Sequence, residues 1–175
     1  MRVMPNLIFS LALSVGAGSA WGDDFMIRVA MQEKSAATFY VPGEISGFGP
    51  VNLMVDTGSG YMTINEETLA VLMQRRAARY VKQLQGILAD GSEIEVPVYS
   101  IGRMRIGGDC WLTDVEAAVF PGNARQILGL SALRKVAPFV FSVDPPGLSL
   151  SRCGSASASA LPQPALLPAL RTAVN

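Results

Sequence analysis

The sequence contains no histidine, and this absence removes several common catalytic mechanisms. Ser-His-Asp and Cys-His hydrolases need an imidazole to accept a proton, and many zinc sites need it as a ligand. Only two cysteines are present, Cys110 and Cys153, which are too few for a zinc or iron–sulfur site built from cysteine alone. Hydrolysis by this chain would therefore depend on carboxylate, lysine or hydroxyl groups, and we expect no metal and no cofactor.

The chain also lacks an excess of positive charge. Lys plus Arg and Asp plus Glu both number 14 in 175 residues, and no run rich in lysine and arginine occurs. Because phosphate backbones are bound through such an excess, we expect no nucleic-acid partner. Half of the residues are hydrophobic and 17 are glycine, a composition typical of one folded domain with a real core.

Apolar runs long enough to span a bilayer are absent after the N-terminal segment. Arg2, the apolar residues 7–13 and the small residues after them predict a signal peptide over residues 1–22, cut before Asp23; a cut after Ala20 also fits. The mature protein is then expected in the periplasm or outside the cell. The alternative is an uncleaved leader that anchors the protein in a membrane, and only in that case is a membrane a partner.

The remaining chain divides into a domain and a tail. Residues 23–153 are predicted to fold as one domain, whereas residues 154–175 are rich in Ala, Ser and Pro and are predicted to be disordered. Short runs of alternating apolar residues, separated by glycine and proline, predict an all-β barrel with one or two short helices. The predicted strands nearest the motifs below are 37–41, ended by Pro42-Gly43, 51–55, 84–89, 94–101 and 111–120.

Local signals place one helix and one hairpin between these strands. Asn65 is a predicted helix cap, after which Leu69, Leu72 and Met73 would share a buried face. Asp90-Gly91 is a turn pair favoured in tight hairpins, so the strands on either side of it are expected to pair.

Asp56-Thr57-Gly58 directly follows a predicted strand. Taken alone, such a tripeptide is often only a turn in which the aspartate binds its own backbone. Its surroundings favour a functional role, because Ile127-Leu128-Gly129 stands far downstream and is followed by a helix-like segment. The hairpin lies between the two motifs.

The order of Val55-Asp56-Thr57-Gly58-Ser59, the Asp90-Gly91 hairpin and Ile127-Leu128-Gly129 resembles the retropepsin-like aspartic proteases. The likeness is greatest to bacterial single-domain members that carry signal peptides or anchors, and it covers about residues 37–153. It implies a closed barrel in which Ile127, Leu128 and Gly129 pack beneath the Asp56 loop.

The resemblance also assigns roles to individual residues. Asp56 would be the catalytic carboxylate, with Thr57 hydrogen-bonded across a two-fold axis, Gly58 allowing two loops to meet, and Ser59 completing the loop. The hairpin tip would be a flap that closes over an extended peptide substrate. The flap residues are Ala89, Asp90, Gly91 and Ser92.

A dimer follows from the number of motifs. Hydrolysis by paired carboxylates needs one group as base and one as acid, and two close carboxyl groups achieve this by sharing a proton. The chain has a single Asp-Thr-Gly, so the pair requires two copies, each giving Asp56. The predicted function is that of an aspartic endopeptidase acting on exported proteins as a homodimer.

Some alternatives stay open on sequence grounds. Cys110 and Cys153 form either a disulfide, as an oxidising compartment permits, or two buried thiols. The fold could serve a non-catalytic module that binds peptides or dimerises. A third option is a β-barrel ligand binder in which Asp56 is only a turn residue.

Overall fold

The computed structural model describes residues 27–87 and 91–156. The strands are β1 (Ile27–Ala30), β2 (Gln32–Lys34), β3 (Thr38–Ile45), β4 (Gly49–Val55), β5 (Met62–Asn65), β6 (Ala78–Ile87), β7 (Glu93–Ile106), β8 (Cys110–Phe120), β9 (Ile127–Leu128), β10 (Phe139–Val143) and β11 (Pro146–Leu150). Two short helices, α1 (Glu66–Gln74) and α2 (Leu130–Leu133), interrupt them. The predicted all-β fold with short helices is confirmed.

Several predicted segments lie outside the described residues. These are the signal peptide, most of the tail (157–175), and Ala89 and Asp90 at the hairpin tip. Within the part of the chain that the structure describes, no helix is long and apolar enough to cross a membrane.

Strand pairing closes the larger sheet on itself. Its order is β2-β3-β4-β9-β5-β8-β7-β6, and β3 also pairs with β7 through Gly43–Ile106 to Ile45–Met104. The strands from β3 round to β7 therefore form a closed barrel, against which a small β1-β11-β10 sheet packs. The interior holds fully buried aliphatic residues, including Leu53, Ile64 and Leu128. Burying each such side chain contributes about 1.5–3 kcal/mol to folding.

The strand predicted to end at Pro42-Gly43 runs on to Ile45, so that boundary was wrong. Pro42 takes part through its carbonyl, which accepts a hydrogen bond from Gly107 N at 2.8 Å. At Gly43 a Cβ atom would lie 2.7 Å from the Arg105 carbonyl oxygen. The glycine therefore allows β7 to approach β3, and the pair that looked like a strand terminator helps to close the barrel.

Helix α1 begins where its cap predicts, because the Asn65 side chain accepts a hydrogen bond from Thr68 N at 2.9 Å. Its buried face differs from the predicted one. Leu72 is fully buried and Leu69 is half-buried, but Met73 is 47% exposed. The face turned to the core is centred on Thr68 and Leu72, one helical turn apart, and this places Met73 toward solvent.

The predicted hairpin is present and longer than expected. Strands β6 and β7 pair from Ala78–Ile101 to Ile87–Glu93, beyond the predicted limits of 84–89 and 94–101. The main extension is residues 78–83 of β6, most of which are exposed, so their apolar pattern is too weak to predict a strand. Gly91 has a φ of 83°, a conformation that suits glycine at a turn.

A disulfide joins Cys110, at the start of β8, to Cys153 beyond β11. Of the two readings of these cysteines, the structure shows the bonded one. The next residue, Gly154, forms a two-bond bridge with Trp111, with distances of 3.0 and 3.2 Å. The end of the domain is thus attached to a barrel strand by covalent and backbone links.

Candidate active site at the Asp56 loop

Asp56 is positioned by the pairing of two distant strands. β4 and β9 run parallel, with Met54 opposite Ile127 and Val55 opposite Leu128. The ladder continues past β4, because Asp56 N donates to the Leu128 carbonyl at 3.2 Å. The structure therefore brings Ile127-Leu128 directly beside the strand end that carries Asp56.

Asp56 is a half-buried residue, and its carboxylate is bound by its own loop. Its Oδ1 accepts a hydrogen bond from Gly58 N at 2.9 Å, and its carbonyl accepts one from Ser59 N at 3.4 Å. No other hydrogen bond to this carboxylate comes from residues 27–87 or 91–156. This contact alone suits a purely structural turn, so the support for chemistry comes from what surrounds the loop.

The side chains of two serines hold the Asp56 loop and the residues after it through hydrogen bonds to backbone groups. Ser59 Oγ donates to the Tyr61 carbonyl at 2.7 Å, and the Ser59 carbonyl accepts from Leu130 N at 2.8 Å. Ser131 Oγ accepts from Met62 N at 2.7 Å and donates to the Glu116 carbonyl at 2.6 Å. No sequence motif marks Ser131 for this role, since its partners are distant in the chain.

Gly129 fits a space with no room for a side chain. A Cβ atom there would lie 2.6 Å from the Tyr61 carbonyl carbon, closer still to the Tyr61 oxygen, and 2.9 Å from the Ser59 oxygen. All three are backbone atoms, at the end of the Asp56 loop and just after it. The glycine thus lets β9 and α2 lie directly against this segment.

Thr57 and Gly58 are both exposed at the outer surface of the loop. The single chain leaves both residues open to solvent, directly after Asp56 in the loop. This exposure is compatible with a second molecule meeting the loop at these two residues.

A pocket of about 730 Å³ opens beside the loop. Gly58, Ser59, Gly60 and Tyr61 form its wall on the loop side. The rest of its lining is mainly apolar and includes Met54, Leu84, Ala118, Phe120, Ala124 and Ile127. A volume of this size is within the range that holds peptide side chains or small ligands.

The hairpin contributes to this pocket below its tip. Leu84 and Gly86 of β6 line the pocket, whereas Gly91 and Ser92 are exposed and are not among its lining residues. The structure thus brings the hairpin to the pocket, but through residues that the sequence did not single out.

A polar contact links the hairpin strand to the loop. Lys82 Nζ lies 3.4 Å from Glu116 Oε2 and 5.3 Å from the centre of the Tyr61 ring. Hydrogen bonding to Tyr61, and secondarily to Glu116, raises the pKa of Lys82 above its ordinary value. Tyr61 lines the pocket, so the base of the hairpin is joined to a residue of the pocket wall.

Comparisons with known proteins agree with this geometry. Residues 41–135 match the model of the family described as "gag-polyprotein putative aspartyl protease", and this match contains the Asp56 loop and Gly129. No curated protein matches the chain. Among solved structures, the chain is similar to a retropepsin-like aspartic protease from Rickettsia conorii.

That likeness has a TM-score of 0.51 at 20% identity and covers 71% of this chain and 88% of the other. At this identity the likeness shows a shared fold. The family match spans more than half of the chain, and the two motifs that it contains meet at one loop. The chain therefore belongs to the retropepsin-like aspartic protease family.

Proposed function

We propose that this protein is an aspartic endopeptidase whose active site is formed by Asp56 from two copies of the chain. The observation that carries the proposal is the position of Asp56. Its carboxylate lies on a loop held by β9 and Gly129, and Gly58 and Ser59 of the same loop line a mostly apolar pocket. Membership in an aspartic protease family supports the same chemistry.

The chemistry requires a second carboxyl group. One ionised carboxylate takes a proton from water, whose oxygen attacks the peptide carbonyl carbon, while the partner carboxylic acid protonates the carbonyl oxygen. The tetrahedral intermediate then collapses as the C–N bond breaks and the amine nitrogen receives a proton. No acidic side chain lines the pocket within the described residues, so a second copy of Asp56 is the natural partner.

The exposed part of the loop supports a dimer. Thr57 and Gly58 are at the surface beside Asp56, where a second loop can approach about a two-fold axis. An extended peptide would then lie in the apolar pocket and its symmetry-related copy, beneath the two hairpins.

We place this activity in the periplasm or outside the cell, on segments of exported proteins. The signal-peptide pattern of residues 1–22 supports this location, and so does the Cys110–Cys153 disulfide, since such bonds persist in oxidising compartments. If the leader is not cleaved, the same domain would act while attached to a membrane.

An Asp56→Asn variant tests the proposal. Amide and carboxylate have nearly the same shape, but the amide cannot act as a base, so cleavage of a peptide library should fall about a hundredfold or more. The exported forms of both chains are purified and compared by mass spectrometry of the products. Circular dichroism and sedimentation should show the same fold and the same dimer.

Asp109→Asn is the matched control, because Asp109 is exposed in the turn between β7 and β8 and is remote in the fold from the loop. It should cleave like the wild type. Full cleavage by rigorously purified Asp56→Asn protein would disprove the mechanism. A folded, dimeric wild type that binds peptides and cleaves none would favour the non-catalytic binding module.

A further inference from the structure

Arg125 is the one charged residue among those that line the pocket in the described part of the chain. It lies between β8 and β9, two positions before Ile127, and its side chain is exposed. Its Nη1 lies 3.8 Å from the sulfur of Met54, another lining residue. The guanidinium is therefore exposed to solvent and lies beside an apolar wall of the pocket.

Arg125 forms no ion pair with a carboxylate of the described residues. Within residues 27–87 and 91–156, the ion pairs are Arg79–Asp114, Lys82–Glu116 and Arg105–Glu44. A cation at a binding pocket that is not used by the fold is available to a ligand.

The surroundings strengthen what this cation can bind. Charges attract more strongly beside low-dielectric surface than in bulk water, and a guanidinium can donate two parallel hydrogen bonds to one carboxylate. The pocket supplies the apolar surface, through residues such as Met54, Phe120 and Ile127. An occupant that matches this site has an apolar group for the pocket and a carboxylate for its rim.

We propose that Arg125 is a specificity-determining residue that selects peptides in which an Asp or Glu side chain lies near the apolar residue held in the pocket. This inference rests on the proposed function for its extended-peptide ligand. It adds the class of substrate, which is an apolar segment with an acidic residue close to the bond to be cut.

The experiment measures binding separately from cleavage. Short peptides with blocked ends and an apolar Leu-Phe centre carry one Glu, placed in turn at each flanking position, and each has a matched Gln peptide. Their affinities for the Asp56→Asn protein are measured by fluorescence anisotropy, and their cleavage by the wild type is measured as kcat/KM.

At the preferred position we expect Glu to exceed Gln by about threefold to tenfold in both measurements, a range somewhat above that of an exposed ion pair. Arg125→Gln should remove this preference, and Arg125→Glu should turn it into a preference for Lys over Gln. The wild-type preference should also weaken as salt is raised. Because Arg125 is exposed, the variants should keep the wild-type melting temperature.

Arg152→Gln is the matched control, since Arg152 is exposed and is not part of the pocket lining. It should keep the preference for Glu. The proposal is overturned if no Glu position is preferred, if Arg125→Gln keeps the preference, or if Arg152→Gln loses it equally. Binding that prefers Glu without any cleavage would contradict the proposed function but support the role of Arg125. Cleavage without a preference for Glu would contradict the role of Arg125 but support the proposed function.

Discussion

Among the glycines of the described residues, Gly129 has the least room for a side chain. The backbone of Tyr61 and Ser59 occupies the space that a side chain would need, and backbone atoms cannot swing aside as the end of a long side chain can. Even alanine should therefore force the Asp56 loop and β9 apart.

We expect Gly129→Ala to lower the free energy of unfolding by about 1–3 kcal/mol, the usual cost of overpacking, and Gly129→Val to lower it more. Urea unfolding monitored by circular dichroism provides the measurement. Gly60→Ala is the control for stability, because Gly60 belongs to the same segment and a Cβ atom there meets nothing within 4 Å. Equal stability of Gly129→Ala and Gly60→Ala would show that the close packing does not matter.

At the residue scale, the sequence predicted what short motifs encode and missed what arises from tertiary contact. Asp56 and Gly129 could be found because each belongs to a recognisable tripeptide, and the order of the tripeptides pointed to one site. Ser131 and Arg125 belong to no motif. The hydroxyl of Ser131 accepts a hydrogen bond from Met62 N, 69 residues away. Arg125 reaches the pocket because the nearby strand β9 forms part of the pocket wall.

At the element scale, the β6–β7 hairpin is attached to the site through Lys82. β6 lies at the end of the larger sheet, with β7 as its neighbour, so contacts of its side chains help to fix where it lies. The ammonium of Lys82 meets Tyr61 and Glu116, and its pKa is raised by these contacts.

This raised pKa gives a stability that depends on pH. The contribution of Lys82 is fully present below its unfolded value, near 10.5, and is lost as pH rises through the higher folded value. We expect Lys82→Gln to lower the melting temperature slightly at neutral pH, and the difference from wild type to shrink toward zero at strongly alkaline pH. Thermal unfolding across this range provides the measurement.

Arg79→Gln is the matched control for that experiment. Arg79 lies on the same strand and forms an exposed ion pair with Asp114 at 3.8 Å. Because a guanidinium stays protonated throughout the range, any effect of Arg79→Gln should not fade in the same way. A Lys82→Gln difference that stays constant with pH would contradict the assigned contact.

Element boundaries were the least predictable part of the fold. The alternation of apolar residues predicted the main strands. Pro42-Gly43 was expected to end a strand because both residues are disfavoured inside strands. What keeps β3 going is its pairing with β7, more than fifty residues later, and such long-range pairing leaves no local mark. Residues 78–83 of β6 were missed because most of them are exposed and their apolar pattern is weak.

At the scale of the whole molecule, one chain carries only half of the proposed active site. Activity per chain should therefore fall as the protein is diluted through its dimer dissociation constant. Mixing wild type with an excess of Asp56→Asn chains, refolded together so that subunits exchange, should inhibit activity beyond simple dilution. Mixed dimers hold one carboxylate and one amide and lack a working pair.

Peptide cleavage is measured against the fraction of wild-type chains, with sedimentation at the same concentrations. Activity should follow the square of that fraction, as expected if only wild-type homodimers work. Strict proportionality to the wild-type fraction, together with full turnover by a monomer, would rule out the shared pair.

The parallel pairing of β4 with β9 also has a consequence for the order of folding. The Asp56 loop is secured by residues far along the chain, as the contact of Met62 with Ser131 across 69 residues shows. Long-range contacts of this kind form late, because the intervening chain must first lose the entropy of loop closure. A chain still emerging from the ribosome, with residues 127–131 not yet made, cannot have assembled this loop. Under the proposed function, such an incomplete chain would have no working active site.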